Sequence, residues 1–152
     1  MERDATIREL NALVRACKDG ELGFTACAEH VVGRSLRLLL MSRADDCHRS
    51  AAELQAVVRQ LGGEPEDAGT AYGAALRHWF NLRNVVLGCD DIAMLGQCER
   101  REAASLSRYL GVLASLLPAT VHEVVRRQYD GARRHHAYLQ ALCARRPESP
   151  ET

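Results

Sequence analysis

Four long stretches of this chain repeat apolar residues at a 3,4 spacing, the spacing of one face of an α-helix. The first stripe runs Ile7, Leu10, Val14, Cys17, Glu21, Phe24, Ala28, Val31 and the second Leu36, Leu40, Arg43, Cys47, Ser50, Leu54, Val57, Leu61. The third runs Ile92, Leu95, Glu99, Glu102, Leu106, Tyr109, Leu113, Leu116 and the fourth Val121, Val125, Gln128, Ala132, His135, Leu139, Leu142. One-sided stripes of this length are buried only against one another, so the pattern predicts an all-α bundle of four helices. Each stripe is also broken by polar residues. A charge in a bundle core costs several kcal/mol unless it is paired or bound to a cation, so Glu21, Arg43, Glu99, Glu102 and His135 are where purpose is to be sought.

Breakers set the boundaries. The first helix is expected over about 4–32, with Asp4 or Thr6 near its cap, a kink near Glu21 from Gly20 and Gly23, and Gly33 at its end. The second is expected over 35–61, capped by Ser35 and stopped by Gly62-Gly63-Glu64-Pro65. After a loop at 64–70, a shorter helix is expected over 71–87, carrying Leu76, Trp79, Phe80, Leu82 and Val86. A third long helix follows Asp90-Asp91 to Leu117, and Pro118 separates it from the fourth, 119–145. Residues 1–146 then make one domain, with 147–152 a disordered tail. Tight turns near 33 and 118 make two antiparallel hairpins. The stretch from 62 to 89 is long enough to return along the bundle, which makes the second and third helices parallel.

Composition narrows the function. Hydrophobic residues are 47% and charged residues 26%, a globular balance. Twenty basic residues offset twenty acidic ones, so no net field favours nucleic acid or an anionic membrane. The opening MERDATIREL has no apolar run resembling a signal peptide, and Leu38-Leu39-Leu40-Met41 is too short to span a bilayer. A soluble, cytoplasmic protein is expected. The six cysteines form no C-x-x-C pair or zinc-ribbon spacing and read as small core residues in a reducing compartment. Thiol redox sensing through Cys89 or Cys98 rests on cysteine count alone. Dinucleotide, P-loop and G-x-S-x-G motifs are absent from the sequence.

Counting along the helices brings the polar residues to one level. Glu21 and Asp45, between Arg43 and Cys47, lie equally far from the turn at Gly33. Glu102 and Arg134, next to His135, lie equally far from Pro118. Such a layer has two readings. In one, Glu21, Glu102 and His135, with Glu99 as a fourth donor, hold a divalent metal such as iron, manganese or zinc. In the other, Arg43 satisfies Glu21 and Glu102 as a buried ion-pair network, with Cys47, Gln128 and His135 completing a structural polar layer. Asp45 and His48 have ligand spacing but fall mostly off the stripe, and His78, His122 and His136 read as surface residues.

The segments LNALVRACKDGELGF (10–24), AAELQAVVRQLGGEPEDAGT (51–70), LRHWFNLR (76–83), QCERREAASLSRYL (97–110) and LLPATVHEVVRRQYDGARRHH (116–136) carry a resemblance that covers nearly the whole chain. It resembles a family of small bacterial ferritin-like four-helix-bundle proteins of unassigned function, most specifically in the Leu-Gly-Gly-Glu-Pro turn and the crossover tryptophan. The resemblance implies a ferritin-like bundle whose crossover, between the second and third helices, contains a short helix. It implies no activity. Related ferritin-like enzymes supply two Glu-x-x-His motifs, and this chain has neither, which argues against a di-iron oxidase or iron store. The expected function is therefore a non-enzymatic bundle that acts by association, as a homodimer or with another protein. The alternative is a degenerate metal-binding protein using the mid-bundle Glu/Glu/His site.

Overall fold

The computed structural model describes residues 2–69 and 91–145. Over them the chain forms four helices and no strand: α1 (Glu2–His30), α2 (Arg34–Gln60), α3 (Asp91–Leu113) and α4 (Ala119–Arg145). The shorter helix expected over 71–87, along with His78, Cys89, Asp90 and the tail 147–152, lies outside the described residues. None of the four helices is long and apolar enough to cross a membrane.

The helix ends show which local signals act. α1 starts at Glu2, so Asp4 lies inside the first turn, near the positive end of the helix dipole. Thr6 does not cap either, because its hydroxyl donates back to the Glu2 carbonyl at 3.0 Å. α1 continues as one helix through Gly20 and Gly23. At the α1/α2 turn the N-cap is Gly33, which makes no side-chain bond, rather than Ser35. The turn is held instead from α3: the backbone N–H groups of Val32 and Gly33 donate to the Asp91 carboxylate at 2.7 and 2.8 Å. α2 ends where the sequence signal is strongest. Gly62 adopts φ 84°, and the N–H groups of Gly62 and Gly63 return to the carbonyls of Arg59 and Val58, a Schellman closure. Beyond it, Asn11 donates to the Glu64 carbonyl and accepts from the Glu66 N–H, which ties the loop to α1. α3 stops at Leu113, short of the expected Leu117, and leaves Leu116 90% exposed. Pro118 disfavours helical backbone just before it.

The helices stand at the corners of a square, with α1 against α2 and α3, and α4 against α3 and, more loosely, α2. Moving from Asp91 through Arg101 and Tyr109 of α3 to Ser115 just beyond it, the partners run backward from Val32 in the α1/α2 turn through Asp19 and Cys17 to Glu9 of α1. α3 is therefore antiparallel to α1, as is α2 across its tight turn. Likewise Asp46 of α2 meets His135 and Glu53 meets Gln128, so α4 is antiparallel to α2.

Two apolar clusters fill the interior. One, around Phe24, Cys27, Leu40, Met94 and Cys98, lies at the end of the α1/α2 turn. The other, around Leu10, Leu13, Leu54, Val58 and Val125, lies at the opposite end. Each fully buried leucine or phenylalanine contributes roughly 1.5–3 kcal/mol by leaving water. The buried face of α3 is Met94, Leu95, Cys98, Glu102, Tyr109 and Val112, rotated from the expected stripe so that Ile92 faces out. Between the clusters sits a band of polar side chains.

Candidate functional site

The centre of that band is one ion pair. Arg43 of α2 donates through Nε and Nη2 to the two carboxylate oxygens of Glu102 on α3, at 2.5 and 2.9 Å. Both side chains are buried, Glu102 to 1% exposure. α2 and α3 occupy opposite corners, so the pair crosses the diagonal of the bundle, a span suited to the long arginine side chain. The Arg43 guanidinium also sits 5.5 Å from the centroid of the Phe24 ring, a cation–π contact. Two-pronged geometry and a covering aromatic face are what a desolvated charge pair requires.

Around the pair runs a chain of hydrogen bonds through all four helices. The Tyr109 hydroxyl of α3 donates to Gln128 Oε1 of α4 at 2.8 Å and lies 3.4 Å from the Cys17 thiol of α1. Gln128 Nε2 in turn donates to Glu53 at 2.7 Å and to the Ser50 carbonyl at 3.3 Å, both on α2. Arg127 clamps the same Glu53 carboxylate from the surface. That hydrogen bond is the main reason the Glu53 carboxyl titrates below its ordinary range. Burial pushes the thiols of Cys17 and Cys47 up, and it pushes the Tyr109 hydroxyl well up. At neutral pH these three groups are therefore protonated, and they offer no nucleophile poised for chemistry. Cys47 packs against Gly20, where an added Cβ would come within 3.0 Å of its sulfur.

The four carboxylate and imidazole groups expected to share the layer are held apart. Glu102 is held by Arg43. Glu21, expected to be buried opposite Glu102, is instead 33% exposed and pairs at 3.2 Å with His48, the residue set aside as off the stripe. The reason is that α1 is flanked by two helices, so its buried arc is broad and Glu21 lies on the α2-side rim, where its carboxylate reaches water. His135 bonds Asp46 at 3.0 Å across the α2/α4 seam. Glu99 bonds His136 at 2.8 Å across the α3/α4 seam, which half-buries a histidine expected at the surface. Among the described residues, no three His, Cys, Asp or Glu side chains converge in a group able to hold a metal ion. A cation at the level of Glu102 also has to displace the Arg43 guanidinium, which already neutralises that carboxylate.

Two hollows flank the layer. One, of about 320 Å³, opens along the α1/α3 seam, lined by Phe24, Gln97, Arg101 and Tyr109 among others. The other, of about 620 Å³, lies in the α2/α4 seam and is lined mainly by Arg49, Glu53, Arg127, Arg134 and Tyr138. Arg43 and Gln128 border both. The stripes did not reveal the Tyr109 hydroxyl, which reads as apolar in a helical repeat. They also did not reveal the packing of Arg101 on Gly23, where an added Cβ would collide with the arginine side chain. The one available signal was glycine inside a helix, which often marks a close approach.

One family model matches residues 5–115, that of a domain of unknown function (DUF2383). The match spans most of the chain, which belongs to that family. No curated protein matches it.

Proposed function

We propose that this DUF2383 member is a non-enzymatic helical bundle that acts by associating with a second copy of itself. One observation carries the reading: large apolar side chains are left outside the bundle, and four of them lie in or near the α1/α2 turn. Val32 in the α1/α2 turn is 79% exposed, Leu38 and Met41 lie one turn apart on the outer face of α2, and Ile92 opens α3 beside the same turn. Exposed apolar clusters of this kind mark association surfaces. The core charges, by contrast, are engaged with one another, which suits a scaffold better than a reaction centre.

We further read the course of the chain as ferritin-like. In that course residues 61–90 return along the bundle and α2 and α3 run parallel. The antiparallel order of both helices against α1 supports this. The cytoplasm is the setting in keeping with a chain of this composition.

Sedimentation of the purified protein tests the association directly. We expect a dimer that Leu38→Glu with Met41→Glu converts to a monomer while helical content is kept. A wild-type protein that stays monomeric across the accessible concentration range would overturn the reading.

A further inference from the structure

The hollow of about 320 Å³ on the α1/α3 seam carries positive charge that the bundle does not use. Arg100, Arg101 and Arg108 of α3 line it, together with two carboxylates, Asp19 and Glu102. Arg43 already neutralises Glu102. Three guanidinium groups therefore meet one remaining carboxylate, an excess of two positive charges. Arg100 and Arg108 are exposed, and among the described residues neither makes a hydrogen bond or an ion pair.

Arg101 points to what is missing. Its Nη2 donates to the Asp19 carbonyl at 2.8 Å, while its Nε lies against Gly23. That Nε is buried without a hydrogen-bond partner, the one such side-chain nitrogen or oxygen among the described residues. A buried donor left unpaired is destabilising and calls for a partner from outside the chain. Room for one is made by small residues on both walls: Ala16 and Gly20 of α1, Ala104 and Ser105 of α3.

We propose that this hollow binds a small organic phosphate, a monoester with a compact carbon skeleton. Such a group carries close to two negative charges at neutral pH, which matches the excess. Its oxygens accept from planar guanidinium forks in pairs. Arg101 and Arg108 stand two turns apart on α3, about 10 Å along the axis, with Ala104 and Ser105 between them. Both long side chains converge on a phosphate at that level. An arriving oxygen draws the Arg101 guanidinium off Gly23 and gives Nε its partner. The carbon skeleton lies on the Phe24 floor, with Gln97 and Ser105 as neutral donors beside it. The volume is in the range of sites for small molecules.

Calorimetric titration of the full-length protein with phenyl phosphate, inorganic phosphate and succinate, at matched ionic strength, tests the proposal. We expect one saturable site per chain for phenyl phosphate, with inorganic phosphate weaker by about tenfold or more because it buries no apolar surface. Arg108→Gln, at an exposed position, is expected to weaken phenyl phosphate about tenfold or more through the loss of a charge-assisted hydrogen bond. Ala104→Trp, also exposed, should fill the hollow and abolish binding with helical content kept. Arg134→Gln, which borders the α2/α4 hollow and not this one, should leave the affinity unchanged. No saturable binding at millimolar phenyl phosphate would overturn the proposal. Equal losses in Arg108→Gln and Arg134→Gln would also overturn it, since they mark general attraction to basic side chains. Succinate held more tightly than phenyl phosphate would give the hollow to carboxylates instead. Equal affinity for inorganic and phenyl phosphate would reduce it to a bare anion site and contradict the organic ligand.

Discussion

The α1/α3 and α2/α4 seams of this bundle are both antiparallel, yet they are built on different physics. The first sets Arg101 on Gly23 and buries the Cys17–Tyr109 contact. The second is wider and wet, and holds Asp46–His135, Glu53–Arg127 and Glu53–Gln128 around a hollow of about 620 Å³. One diagonal pair, Arg43–Glu102, joins the two sides. The contrast shows where charge can sit in a bundle: at a seam with water, in loose pairs, or at the centre, in a single two-pronged pair with an aromatic cover.

If the diagonal pair is as buried as it stands, Arg43→Ala has the largest effect of any change considered, about 3–5 kcal/mol of lost stability, because it strands the Glu102 charge. Chemical denaturation measures this. The double replacement Arg43→Met with Glu102→Leu is expected to recover most of that loss, since removing both charges removes the desolvation cost. A mild Arg43→Ala would mean the two seams are not joined at this point.

The α1/α3 seam is probed by a cycle at Gly23. In the wild type, Gly23→Ala meets the Arg101 side chain and destabilises. In an Arg101→Ala background it stabilises, because alanine gains about 1 kcal/mol of helix propensity over glycine. A coupling of about 1–2 kcal/mol between the two sites is expected, and an additive result would contradict the close approach.

Tyr109→Phe removes the hydroxyl that links the seams through Gln128, and a cost of about 1 kcal/mol by thermal unfolding is expected. A neutral result would place that hydrogen bond outside the stabilising network.

The wet seam should respond least. Glu53 titrates below its ordinary range in the folded state, so its contribution is present above that range and is lost as acid carries the pH down through the folded value. The pair is partly solvated, so the difference between wild type and Glu53→Gln is expected to stay within about 1 kcal/mol at neutral pH and to fade with acid or added salt. A large, salt-insensitive difference would show that this seam is drier than described.

These contrasts were partly visible in the sequence. The four helices and the stop at Gly62-Gly63 were legible because periodicity and glycine act locally, and α4 matches its expected bounds. Arg43, Glu102 and Gln128 were legible because each breaks an otherwise apolar stripe. Glu21 was misplaced because a stripe gives the direction of a side chain but not the breadth of the buried arc, which the neighbours of α1 set. The partners of Glu99 and His135 were hidden for a related reason. Each pairs across a seam, and seam widths depend on small residues such as Gly131 and Ala132 that carry no charge signal. The Asp91 carboxylate bonding the α1/α2 turn is a long-range contact that no local pattern announces.

The central claim is that the mid-bundle layer is a self-satisfied ion-pair network, and thermal unfolding of metal-free protein with and without added iron(II), manganese or zinc tests it most directly. A ligand bound only by the native state must raise the melting midpoint as its concentration rises. The account predicts superimposable unfolding curves for all three ions. A midpoint that climbs with metal in the wild type and stays fixed in His135→Ala would contradict it and give the layer to a cation.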